Sequence, residues 1–176
     1  MSRTIAVTGG TGFIGGMLIH HLVNAGYHVR ALTRDRSAHK LPELAGLEAV
    51  SGSLQDSESL RLLLQDASAV VHCAGAVRGV TAADFNAVNV EGVIQLVQAA
   101  LSLSPRPRFL SLSSLAARAP QLSHYASSKR QGEQALASMA TGMEWVAFRP
   151  PAVYGPGDKE MLPLFQWMGR GIAPVL

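Results

Sequence analysis

Two patterns of apolar and polar positions alternate along the chain. Short runs rich in β-branched and aromatic residues occur at RTIAVT (3–8), YHVRALT (27–33), LEAVSG (47–52), SAVVHCAG (68–75), RFLSLSS (108–114) and MEWVAFRP (143–150). Their length and composition are those of buried strands. The segments between them repeat apolar residues every three or four positions. In FIGGMLIHHLVNAG, Phe13, Met17, Leu18, Leu22 and Val23 share a helical face, and Asn24 to Gly26 supply a stop. DSESLRLLLQD carries Asp56 or Ser57 as a cap, and TAADFNAVNVEGVIQLVQAALSLS (81–104) reads as the longest single helix, broken by LSPRPRF. Strands separated by helices pair in parallel through right-handed crossovers, which predicts an α/β fold with an open, doubly wound sheet.

The first strand-to-helix turn, TGGTGFIGG, is crowded with glycine: Gly9, Gly12 and Gly15 keep a three-residue rhythm, with Gly10 and Gly16 beside them. Each glycine costs about 0.5–1 kcal/mol of chain entropy relative to alanine in a regular element, so the cluster needs a use. A turn of this kind aims the free N–H groups and positive dipole end of a helix at one point, and bare backbone lets a pyrophosphate approach. This is the outline of a dinucleotide site.

Composition fits that outline. The 176 residues are 48% hydrophobic and only 15% charged, as expected for a single domain built on a sheet covered on both faces. The formal charge of +3 is spread through the chain, so neither a nucleic-acid nor a membrane footprint is expected. Cys73 is the sole cysteine and sits in an apolar run, which predicts a buried structural thiol, no disulfide and a reducing, cytoplasmic setting. Nothing before the first strand reads as a signal peptide, and no apolar run reaches the roughly 18 residues of a membrane span. The six histidines have no metal-binding spacing, so no metal is assigned.

In such sheets ligands bind beyond the carboxyl ends of the strands. After the second strand the chain reads ALTRDRSAHK. An NAD site usually places an acidic residue at this strand's end; here Thr33 stands there and Arg34 follows. Arginine suits a 2′-phosphate, and Arg36, Ser37 and Lys40 add donors, so NADP is expected over NAD, although Asp35 also lies within reach of a ribose. The second informative stretch is SHYASSKRQGE. Tyr125 and Lys129 are four apart and share a helix face, and an ammonium beside a phenol makes it a better proton donor and acceptor. Upstream, Ser113 and Ser114 end a strand, where a hydroxyl can hold the oxygen that Tyr125 protonates.

Taken in order, TGGTGFIGG, VVHCAG, VNVEG, LSSLAA, YASSK and RPPAVYGPGD resemble the extended short-chain dehydrogenase/reductase superfamily, in particular its NAD(P)-dependent epimerase/dehydratase family, from residue 3 to about 165. The resemblance implies a Rossmann domain with a catalytic set carried by Ser114, Tyr125 and Lys129, supported by Asn89. It places Gly9, Gly12, Phe13, Ile14 and Gly15 at the dinucleotide, Ala74, Gly75 and Ala76 beside a ribose, and Pro150 to Val153 near the nicotinamide. The family often reads Gly-Asp-Leu after the third strand. This chain reads Gly52, Ser53, Leu54, which changes the expected adenine contact.

The implied activity is NAD(P)-dependent hydride transfer at a carbonyl or alcohol carbon of a small substrate, a ketone or a nucleotide sugar. The alternatives are a nucleotide-sugar epimerase or dehydratase that retains NAD, and a dinucleotide-binding module without turnover. Residues 1–158 read as the dinucleotide domain and 159–176 as the start of a substrate-binding region. The family continues well beyond this length, so the chain reads as a fragment whose apolar LPLFQWMGRGIAPVL segment self-associates and whose own turnover is low.

Overall fold

The structure, a computed structural model, describes residues 3–172. The six expected strands are present as β1 (Thr4–Thr8), β2 (His28–Thr33), β3 (Leu47–Ser51), β4 (Ala67–His72), β5 (Arg108–Leu112) and β6 (Trp145–Phe148), all parallel in the order β3-β2-β1-β4-β5-β6. That order, stepping outward both ways from β1, is the doubly wound Rossmann arrangement. Register runs straight across it: Ala31 pairs with Val7, Val7 with Val71, Val71 with Leu110 and Leu110 with Val146. The carboxyl ends of β1, β4, β5 and β6 therefore form one edge.

Helix α1 (Phe13–Asn24) covers one face, where Ile5, Val7, Ile19, Val29 and Ala31 are buried together. On the other face α2 (Ser57–Leu64), α4 (Glu91–Leu101) and α5 (His124–Met139) bury Leu60, Leu64, Leu96, Val97 and Leu136 against Val70 and Phe109. Asp56 caps α2, its carboxylate accepting the Glu58 N–H at 3.1 Å, which settles the choice between Asp56 and Ser57.

The expected long helix is two. α3 (Ala82–Asn89) and α4 meet at Val90, whose φ of −116° departs from helical geometry. The cause is tertiary: the Asn89 carbonyl lies so close to Gly132 of α5 that a Cβ there would collide with it. A short helix α6 (Leu162–Gly169) follows, with Leu162, Phe165, Trp167 and Met168 exposed. It covers part of the apolar segment expected to self-associate; Ala173 to Leu176 lie outside the described residues. Among the described residues no helix is long and apolar enough to cross a membrane.

Candidate active site

At the carboxyl end of β1 the chain turns through Gly9, whose φ of +73° belongs to the left-handed region. A Cβ there would sit 2.5 Å from the Ala74 nitrogen, so glycine is required by backbone angle and by close approach of the turn after β4. Gly12 N–H donates to the Gly9 carbonyl at 3.0 Å, and Gly15, buried in the first turn of α1, backs onto the same carbonyl. The first turn of α1 has neither a side-chain cap nor an acidic residue. Its N–H groups are left for an anion, and the bare glycine cradle fits a pyrophosphate. Phe13 and Ile14 are half-buried there; the Phe13 ring approaches the Gly155 and Gly157 backbone of the segment after β6.

Past β2, Arg34, Asp35, Arg36 and Lys40 are exposed and Ser37 is half-buried, around a 3-10 turn at Asp35–Lys40. Asp35 is engaged by the Ser51 hydroxyl at the end of β3. Past β3, Ser53 Oγ accepts the Gln55 N–H at 3.3 Å, whereas Leu54 buries its side chain against Gly92 of α4 and belongs to the core. At that position only backbone is left to face an adenine.

The turn after β4 is held from behind. Asn89 Oδ1 accepts the Ala76 N–H at 2.9 Å, and its Nδ2 donates to the Ala76 carbonyl at 3.0 Å and to Ser128 Oγ at 2.9 Å. Through these bonds the buried Asn89 amide ties α3, α5 and the 74–76 turn together. Cys73, expected to be buried, is partly exposed at this strand end, and burial of its thiol still pushes it up to about 11 against the opposing charge of Lys129.

Helix α5 begins with Ser123, whose hydroxyl accepts the Ala126 N–H at 3.1 Å. That cap puts Tyr125 in the first turn, half-buried with its ring 6.2 Å from Phe85, and Lys129 one turn on. The Lys129 ammonium donates to the Leu112 carbonyl at 3.0 Å and fills the space over Gly75, where a Cβ would lie 2.9 Å from Nζ. Burial lowers it to about 8, although Cys73 and Glu133 pull the other way. The two serines separate cleanly. Ser113 is buried and donates to Glu133 at 2.5 Å, whereas Ser114 is half-buried, accepts only the Ala116 N–H at 3.2 Å, and keeps its own proton to donate. Leu115 N–H donates to the Pro150 carbonyl at 2.9 Å, bringing the segment with Pro150 and exposed Val153 beside Ser114.

Glu133 and Arg149 were not singled out from sequence. Glu133 is buried and accepts from Arg149 Nε at 2.7 Å and Nη2 at 2.5 Å. Burial alone would raise this carboxyl; the hydrogen bonds from Arg149 and Ser113 and the charges of Arg149 and Arg130 outweigh it and hold it below the usual carboxylate range. One carboxylate thus joins the ends of β5 and β6 to α5. The last residue of the quoted SHYASSKRQGE stretch was the available signal.

The chain matches the NAD dependent epimerase/dehydratase family over residues 5–168. It belongs to that family. The chain is 40% identical over 173 residues to the ceramide reductase of Caulobacter vibrioides, covering 98% of this chain and 53% of that protein. It is 28% identical to a UDP-glucose 4-epimerase of Vibrio cholerae, covering 98% of this chain and 58% of that one. Among solved structures, the Bordetella bronchiseptica enzyme WbmH in complex with NAD+ superimposes with a TM-score of 0.83 at 26% identity, over 97% of this chain and 64% of that one. The chain spans about half the length of these two sequence relatives.

Proposed function

We propose that this chain is the cofactor-binding and acid–base part of an NADP-dependent reductase acting on a carbonyl group. The reading rests on Ser114 just past β5 and on Tyr125 and Lys129 one turn apart on α5, with the Lys129 ammonium at the Leu112 carbonyl and over Gly75, in the turn that packs on the glycine cradle. The cofactor, when bound, supplies the hydride. The residues supply the rest: Ser114 donates a hydrogen bond to the carbonyl oxygen, and Tyr125 transfers its phenolic proton there as the alcohol forms. Lys129, cationic below about pH 8, stabilises the phenolate left behind and holds the nicotinamide ribose from the side of Gly75. Residues 1–158 carry the dinucleotide site in this reading, and the stretch from 159 opens the substrate side.

The charge at the end of β2 supports NADP. Among the described residues Arg34, Arg36 and Lys40 have no ion-pair or hydrogen-bond partner for their side chains, and Asp35 is occupied by Ser51. A 2′-phosphate would pair with such unspent cations. Fluorescence titration should show NADPH binding at least several-fold tighter than NADH, and Arg34→Ala should remove most of the difference. Equal affinities would overturn the assignment and favour the alternative of an epimerase holding NAD, the cofactor in the WbmH complex.

An apolar substrate fits better than a nucleotide sugar. Val77 and Val80 after β4, Leu122 before α5 and Tyr154 after β6 are exposed by 57%, 89%, 77% and 64%. Arg78, a candidate for gripping a phosphate, is instead paired with Glu160 at 2.9 Å. The ceramide reductase relative supports the same direction.

A further inference from the structure

Lys129 borders a second polar space. A cavity of about 10 Å³ is lined by His72, Asn89, Ser111, Ser113, Lys129 and Glu133, among others. That volume suits about one water molecule, and the lining offers the polar partners a water needs. One lining side chain has an unspent polar atom: His72 is 1% exposed, and among the described residues its Nε2 is buried without a hydrogen-bond partner.

One placement of the proton on that ring satisfies its neighbours. Thr8 Oγ1 lies 3.3 Å from the Ala74 nitrogen, which can only donate, and 2.8 Å from His72 Nδ1. When Thr8 accepts from Ala74 and donates to Nδ1, each of these atoms has a partner, and the imidazole proton resides on Nε2. Burial, aided by the nearby Lys129 charge, lowers His72 to about 3, so the ring stays neutral. An N–H held in a polar, water-sized space requires an acceptor there. Lys129 has three N–H donors, of which the Leu112 carbonyl takes one.

We propose that a single buried water fills this cavity, accepting from His72 Nε2–H and from Lys129 and donating to Ser113, and that His72 is thereby a positioning residue for the cofactor-facing lysine. The proposal rests on the role given to Lys129 above. The hydrogen bonds then run in one direction, from His72 through the water to Ser113 Oγ and on to Glu133. The ammonium gains a solvating partner on its buried side, which fixes its aim and offsets part of the cost of its burial. The other titratable groups acting on Lys129 are the Cys73 thiol and Glu133, the latter with its Arg149 and Arg130 partners; Tyr125 precedes it by one turn on α5, and Asn89 is neutral.

Two substitutions separate this role from a packing role. His72→Asn keeps an atom at the Nδ1 position facing Thr8 and loses the donor facing the cavity; His72→Gln keeps a donor at the Nε2 position and loses the Thr8 contact. Carbon-detected NMR titration of the lysine side chains should find Lys129 near 8 in the native chain, lower by about one unit or more in His72→Asn, and restored in His72→Gln. An unmoved Lys129 in His72→Asn, or an equal shift in both variants, would overturn the proposal. In the native protein, imidazole nitrogen spectra should show Nε2 protonated between about pH 5 and 9, and a high-resolution crystal structure should show one water in the cavity. An Nδ1–H tautomer or an empty cavity would overturn it without recourse to any variant. NADPH titration of the native chain tests the cofactor role separately: failure to bind would sink that role, while the tautomer and the water remain measurable.

Discussion

In the full-length protein, Tyr125→Phe is expected to leave NADPH binding intact and to lower carbonyl reduction by about 10²–10⁴-fold, the usual contribution of a positioned proton donor. The phenylalanine ring preserves the edge contact with Phe85 and the first turn of α5, so the variant should fold and melt as the native protein does. What disappears is the O–H that meets the new alkoxide. Steady-state rates on a long-chain ketone, measured beside cofactor titrations, check both halves. Turnover within about threefold of native would move the acid role to another group, Ser114 being the next candidate by position. A native rate that declines above about pH 8 is expected as well, because the Lys129 ammonium is lost there.

The second large effect belongs to Glu133. Glu133→Ala strands Arg149 and removes the acceptor of the buried Ser113 hydroxyl. The Arg149 side chain is 33% exposed and water can solvate it once the carboxylate is gone, so the cost is mainly that of the buried Ser113 hydroxyl losing its acceptor, about 1–3 kcal/mol. For a domain of this size that corresponds to a melting temperature lower by roughly 2–12 °C. The pH dependence has a definite sign. The folded carboxyl titrates below its unfolded value, so its stabilisation is fully present above the unfolded value of about 4.3 and is lost as pH falls through the folded one. The stability gap between native protein and Glu133→Gln should therefore be constant at neutral pH and close below about pH 4. Thermal melts across that range test it. No gap at neutral pH would mean that the side chain stabilises by packing alone, and a gap unchanged in acid would mean that the carboxylate charge is not its source.

Strands were legible because a parallel sheet buried on both faces leaves continuous apolar runs, as SAVVHCAG and RFLSLSS do. The glycine turn and the Tyr125–Lys129 spacing were legible because a local backbone angle and a helical repeat impose them. The break at Val90 was not: apolar periodicity runs through Val88, Val90 and Val93, and only contact with an element some 40 residues away divides the helix. Likewise Glu133 read as one more polar residue on α5, since Arg149 reaches it from beyond a strand. His72 looked isolated because its partners, Thr8 and the cavity lining, are assembled from other strands and from α5. By strand-end position alone Ser113 and Ser114 were interchangeable, and the family resemblance named Ser114; in the structure the two differ in burial.

The seat of Gly132 against the Asn89 carbonyl sets how deeply α5 is sunk into the molecule. Lys129 projects from the same helix, less than one turn away and on the same side. Catalytic reach is therefore measured from a residue with no chemistry of its own. A methyl group at position 132 would lift the helix like a shim under a hinge and draw the ammonium back from whatever it serves. Its effect would be read in the distance between donor and acceptor rather than in the loss of either, so a sequence search confined to reactive side chains would pass over the position that calibrates them.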